Sequence, residues 1–392
     1  MKTLTLNAAN QHILKKHHLT DDTKIIDILQ IADDLCGLHA TGTIEPYLTL
    51  YARTSNFKKE DLDKQLYVEK SLGRIRGMRK TLFIETKQMI PIVHTSIKSQ
   101  TDKRDEQYLE MREISLDEYN VLSQKILKLV SNKEMSTTEI KKALISKKDI
   151  VAVISVMLDQ MLLIRGRPIK SWKDRRLLYA PFEAYFPDVD VNKYTQEEAF
   201  QLLVHKYIKS YGPVTIKDIA WWLGFNKTQA KKVLEYLENQ IEYIKITNLE
   251  SEYIIIKEDL AQINEIASQK KETLNLLPRL DPYLMGYKDR ERYVNLDNFE
   301  YVFDRSGNAT STILLNGKVI GVWDVEENPH PQFKLLVFEK VEENLLKKIN
   351  TIGKNMGRFI TEQEVEIKMC KSMPPLTKRA MGGFMKPLKE CN

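Results

Sequence analysis

The chain has 392 residues, 42% hydrophobic and 29% charged, with 15 glycines. That is enough apolar material for two or three compact units, each with its own core, and it excludes a disordered or fibrous chain. Sixty basic against 54 acidic side chains leave a net charge of +6, which permits an acidic partner without demanding one. Three cysteines, Cys36, Cys370 and Cys391, show no C-x-x-C spacing. They supply neither a disulfide framework nor a zinc cage, which points to a reducing, cytoplasmic compartment, at the nucleoid if the source is prokaryotic. Met1–Thr20 lacks the apolar stretch of a secretory signal, and the longest apolar run, Ile150–Leu158, stops at Asp159 well short of a bilayer span.

In chain order, Ile25, Ile28, Leu29, Ala32 and Leu35 recur at helical spacing, and Gly37 is the natural stop. Helices over Glu45–Arg53 and Glu60–Lys70 follow. Leu72–Gly77 and Thr81–Glu85 then alternate like two short strands around a basic turn, Met78–Lys80. Helices followed by a two-stranded ribbon outline a winged helix. The outline returns: Ser136 and Glu139 form a capping box, Lys148–Met161 is an apolar helix, and Leu162–Arg165 with Arg176–Pro181 make a second ribbon. A third copy runs through the helix Thr195–Tyr211, a break at Gly212-Pro213 and a helix capped by Thr215 and Asp218 that ends at Gly224. The stripe Ala230, Val233, Leu234, Leu237 and the strands Ile241–Thr247 and Glu252–Lys257 complete it. Beyond Lys271 the texture changes to strands. Asn316-Gly317 between Thr310–Leu315 and Lys318–Trp323 suits a type I′ hairpin, Phe333–Phe338 reads as another strand, and the basic tail Lys368–Asn392 reads as irregular. The expected fold class is therefore α+β and predominantly helical, with three tandem winged helices over 1–100, 101–190 and 191–270 and a β-rich unit over 271–392.

Basic residues cluster on the first two ribbons. Lys70, Arg74, Arg76, Arg79 and Lys80 lie on one; Arg165, Arg167, Lys170, Lys173, Arg175 and Arg176, interleaved with Trp172, lie on the other. Taken singly, each is a solvated loop; repeated at equivalent points of two winged helices, they point to phosphate contacts and duplex DNA as partner. No H-E-x-x-H, P-loop, G-x-G-x-x-G or G-x-S-x-G occurs, so no metal or cofactor is expected. His17-His18 reads as a solvated helix end, Trp221-Trp222 as core and interface, and Asp33-Asp34 as an exposed face whose side chains diverge. In Gly37-Leu38-His39-Ala40-Thr41-Gly42 a helix has just ended, and in an extended segment His39 and Thr41 share one side. Read alone, this segment is a helix terminus with a satisfied histidine.

The chain resembles the winged-helix DNA glycosylases of the AlkZ and YcaQ type over nearly its whole length. The resemblance rests on Gly37-Leu38-His39-Ala40-Thr41 followed by Pro46-Tyr47-Leu48 and Tyr51-Ala52-Arg53, and on Met78-Arg79-Lys80-Thr81-Leu82. Gly212-Pro213 with Trp221-Trp222-Leu223-Gly224, Leu276–Asp281 through Gly286–Arg290, and the hairpin Asn316–Trp323 extend it. It implies a C-shaped molecule of three tandem winged helices and a C-terminal β-barrel-like domain. It also implies excision of alkylated purines, crosslink adducts included, by hydrolysis of the N-glycosidic bond. The family's catalytic triplet, Gln-apolar-Gln or Gln-apolar-Asp, falls on His39 and Thr41, a departure at both positions. A purine alkylated at N7 or N3 is already cationic and departs without a strong acid, so a neutral His39, titrating near the usual ~6.5, could accept the water's proton while Thr41 aligns it. Arg53 joins the DNA-facing set, and Asp281, Tyr287 and Arg290 are either lesion-facing or, for the charged pair, a structural salt bridge. A monomer with no membrane contact and no obligate protein partner is expected. The alternative is a catalytically silent winged-helix DNA-binding protein, a regulator or lesion sensor.

Overall fold

The structure is a computed structural model that describes residues 2–266 and 272–376. Its local structure follows from side-chain chemistry at element ends. Ser136 Oγ accepts the Glu139 N–H at 3.3 Å while Glu139 Oε2 accepts the Ser136 N–H at 2.8 Å, and the helix Thr137–Leu144 begins there. Thr195 with Glu198 and Thr215 with Asp218 repeat the device for Gln196–Tyr211 and Ile216–Leu223, and Gly224 ends the latter at φ +74°.

Each expected ribbon is present as an antiparallel pair: Leu72–Arg76 with Leu82–Thr86, Leu163–Pro168 with Leu177–Pro181, and Ile241–Ile246 with Glu252–Ile256. The first two are not separate. They merge into one six-stranded sheet, with Leu38–His39 at one edge, Met135–Ser136 at the other, and Arg74 directly opposite Arg165 at the seam. The 23-residue helix Met89–Met111 runs through residue 100. Ile241–Ile246 also takes up Lys2–Leu4 in parallel, so the start of the chain is built into the third ribbon.

The C-terminal sheet corrects two expectations. Its five strands, Leu274–Leu277, Thr312–Leu315, Lys318–Glu326, Gln332–Val337 and Glu366–Met369, pair in that linear order, so the sheet is open and no barrel closes. A 19-residue helix, Glu343–Thr361, interrupts the strand-rich stretch and buries Leu345, Ile349, Met356 and Ile360 against Ile313, Trp323, Phe333 and Leu335. A helix covering that face removes the need for closure. The hairpin turns through Asn316 and Gly317 at φ 52° and 77°, as a type I′ turn requires. Of the expected irregular tail, the start is ordered as the last strand, and residues 377–392 lie outside the described residues. No helix among the described residues is long and apolar enough to cross a membrane.

Candidate nucleic-acid interface and active-site segment

Leu38–His39 is a strand of only two residues, with His39 paired to Phe83 and the Ala40 N–H donating to Leu82 O at 2.8 Å. Beyond Ala40 the chain bends, so the alternation expected of an extended segment stops between His39 and Thr41. The two side chains therefore do not share a side. The His39 ring packs inward on Phe83 with centroids 4.4 Å apart and is 3% exposed, while Thr41 is exposed. Neither ring nitrogen of His39 has a hydrogen-bond partner. Burial, helped by the Arg79 guanidinium, pulls its pKa down to about 3. His39 is thus neutral at physiological pH, and the titration expected near 6.5 is displaced.

Thr41 opens onto a cavity of about 320 Å³. Ala40 and Thr41 form one wall, Ser136, Thr137 and Thr138 at the start of a helix another, and Arg74, Arg165, Arg175, Arg176 and Arg279 line it together with apolar and aromatic side chains; no carboxylate among the described residues lines it. Two of these arginines are already matched: Arg279 by buried Glu45, and Arg176 by Asp174 at 2.8 Å. The side chains of Arg74, Arg165 and Arg175 have no hydrogen bond or ion pair among the described residues. Arg74 is 3% exposed with a buried, unpartnered Nε, and Arg165 has a buried, unpartnered Nη. Burial and the neighbouring Arg76 pull the Arg165 pKa down to about 10. Asp159, whose charge acts on Arg165, is held by Arg76.

The other expected DNA contacts divide. Arg167 and Lys170 are exposed, with Arg167 lying over the Tyr67 ring at 5.0 Å. Arg79 and Lys80 form a left-handed turn, Arg79 stacked over Trp221 at 3.9 Å and Lys80 bonded to Asp105 at 3.4 Å. Arg53 does not face DNA: it is fully buried and bound through both Nη atoms to Asp281, at 2.8 and 2.7 Å. Asp281 consequently pairs with the N-terminal part of the chain rather than with Arg290, and it also caps Pro282–Met285 through the Tyr283 N–H. Arg290 donates to Gly307 O at 2.7 Å and lies over Phe303 at 3.7 Å, and the Tyr287 hydroxyl donates to Tyr211 O at 2.9 Å. All three expected lesion-facing residues are buried.

His17-His18 is not solvated. His17 is buried between Tyr211 and Tyr283 with Nε2 bonded to Ser210 O at 3.1 Å, and His18 joins Asp34 at 2.9 Å. Asp33 turns the other way, to Lys206. Trp222 is core, and Trp221 packs against it half-buried.

Sequence reasoning missed Arg279, Thr137 and Thr138, which only the packing of distant segments brings to Thr41. It also missed Glu85, which is fully buried with both carboxyl oxygens unpartnered. Burial and nearby Asp33 push its pKa up to about 8. A Cβ on Gly37, whose φ is +91°, would lie 2.2 Å from Glu85 Oε1; the glycine makes the room.

A family model described as DNA glycosylase AlkZ-like matches residues 32–359. The fold is similar to that of the Streptomyces sahachiroi DNA glycosylase AlkZ, with a TM-score of 0.76 at 15% identity over 94% of this chain and 100% of that one. An interstrand DNA cross-link repair glycosylase of Streptomyces sahachiroi is 24% identical over 153 residues, 37% of this chain and 41% of the relative, so that match spans less than half of the relative's length. The family match contains the His39–Thr41 segment and every arginine of the cavity beside it, and the chain belongs to the AlkZ-like DNA glycosylase family.

Proposed function

We propose that the protein is a monofunctional DNA glycosylase that hydrolyses the N-glycosidic bond of cationic N7- or N3-alkylated purines in duplex DNA. The observation that carries this is that Thr41, which by the family resemblance falls third in the catalytic triplet, opens onto the arginine cavity. An N-alkylated purine leaves as a neutral base, so its departure needs no protein acid. A water held by the Thr41 hydroxyl then has only to meet a sugar that develops oxocarbenium character. Exposed Arg167 and Lys170 on the second ribbon contact backbone phosphates of that strand. Among the described residues no lysine lines the cavity, which favours water over an amine as the attacking group. The water's proton passes to solvent, because neutral His39 packs inward behind Ala40. The same reading takes 1–100, 101–190 and 191–270 as winged helices and 271–392 as their β-rich companion, in a cofactor-free cytoplasmic monomer.

A second reading, a silent lesion-binding protein, is favoured by one specific observation: His39 does not reach the cavity that Thr41 opens onto. Incubation with duplex DNA containing N7-methylguanine, scored for abasic sites, separates the two. Excision that falls on Thr41→Val supports the glycosylase. Retained binding without excision over a panel of cationic lesions supports the binder.

A further inference from the structure

The two ribbons of the six-stranded sheet meet at one bridge, and the residues facing each other there are both arginine. Like charges directly opposite on neighbouring strands destabilise a sheet, the more so when half or fully buried. Asp159, whose charge reaches Arg165, is already held by Arg76, and neither arginine of the pair has an ion pair of its own among the described residues, so their charge is left for something else. The cavity above the pair is walled on one side by the first turn of Thr137–Leu144, where Glu139 caps the backbone and the Thr137 hydroxyl donates to Tyr179 at 3.4 Å, and exposed Arg175 lines it as well.

We propose that this cavity is a discrete phosphate socket: it draws a single phosphate group of a bound strand into the protein, between Arg74 and Arg165, beside Thr41. The proposal rests on the DNA-binding reading and deepens it. The wings hold phosphates at the surface, whereas this one is enclosed and fixes where the strand lies relative to Thr41. The chemistry suits any phosphate oxyanion, because planar guanidinium forks match its oxygens in pairs. The group is supplied either by an internal phosphodiester or by the terminal phosphomonoester of a broken strand.

The first test needs no excision. Inorganic phosphate should raise the thermal midpoint of the full chain saturably, and sodium chloride at the same ionic strength should not. Arg165→Met should abolish that rise while leaving the phosphate-free midpoint unchanged or higher, since it relieves the like-charge pair. Arg175→Gln, at an exposed position where folding is not at stake, should weaken the response. A phosphate effect no larger than that of chloride, or one that survives both substitutions, overturns the socket. Two arms separate the sources of the group: duplexes with 5′-phosphate and 5′-hydroxyl ends compared on the wild type, and an internal methylphosphonate placed at successive positions. Tighter binding of the phosphorylated end identifies the monoester, and loss of binding at one methylphosphonate position identifies the diester; a protein indifferent to both overturns the proposal. Loss of excision with an intact phosphate response strikes only the glycosylase reading, and intact excision without a phosphate response strikes only the socket.

Discussion

Arg53 and Asp281 grip each other through two parallel hydrogen bonds of 2.8 and 2.7 Å across 228 positions of chain, with neither side chain exposed. Thr49 Oγ1 adds a third bond to the carboxylate at 3.4 Å, and Thr49 O takes a further guanidinium proton at 3.0 Å. The pair fastens the start of the C-terminal unit to the helix that follows the His39–Thr41 segment. Removing one partner leaves the other charged and buried. Asp281→Leu should therefore cost about 3 to 5 kcal/mol of stability, and the double variant Arg53→Met with Asp281→Leu should recover most of the loss. Denaturant titration of the wild type and three variants measures both numbers; simple additivity would refute the pairing.

The second expectation concerns His39. Its folded pKa lies near 3 and its unfolded value near 6.5. Between those values the unfolded chain binds the extra proton, so stability falls as pH is lowered through that window, by at most about 1.4 kcal/mol per pH unit. His12, at about 3, and His94, at about 4, act in the same direction. His39→Gln should flatten the acid limb of a midpoint-against-pH curve by one proton. The excision rate should show no inflection from His39 between about pH 5 and 8. An inflection that disappears in His39→Gln would contradict the inward ring.

Glu85 has the opposite sign. Its carboxyl keeps its proton in the folded protein to about pH 8 and loses it near 4.5 when unfolded. The folded state binds more protons across that window, so stability declines as pH rises through it. Glu85→Gln removes the decline and should be the more stable protein at neutral pH. Gly37→Ala should be destabilising by more than about 1 kcal/mol, because a methyl group at positive φ meets the Glu85 carboxyl. Thermal midpoints at several pH values test both.

The fourth expectation is electrostatic. Neutralising exposed Arg167 and Arg175 should lower the slope of log affinity against log salt by about 0.9 for each phosphate that the variant leaves unneutralised. Neutralising Arg176, already bonded to Asp174, should change it less. Binding isotherms across a salt series decide this. Equal slopes in wild type and Arg167→Gln/Arg175→Gln would place the duplex elsewhere.

Local signals were legible in the sequence because neighbours a few residues apart make them. The boxes at Ser136 and Thr215, the stop at Gly224 and the turn at Asn316-Gly317 are of this kind, and so are the strands of the three ribbons. The helix Glu343–Thr361 left a readable stripe in Leu345, Ile349, Met356 and Ile360, hidden only by its setting among strands. What could not be read were relationships between distant segments. Arg53 looks like any surface arginine until Asp281 is placed beside it. The divergence of His39 from Thr41 depends on where a two-residue strand ends, which is set by its pairing with Phe83 rather than by its own residues.

The seam between the ribbons also governs how the molecule can be taken apart. A fragment ending near residue 100 would sever the Met89–Met111 helix and strip Leu72–Arg76 of its neighbour, leaving an unprotected edge strand with its backbone groups open. Such edges pair with other chains, so that fragment is a candidate for aggregation. A dissection that keeps the first two ribbons on one polypeptide respects the hydrogen bonding of the sheet. A sheet two ribbons wide, not the single winged helix that the sequence outlines, is therefore the least that an N-terminal piece must keep, and a piece that keeps Lys2–Leu4 paired needs the third ribbon as well.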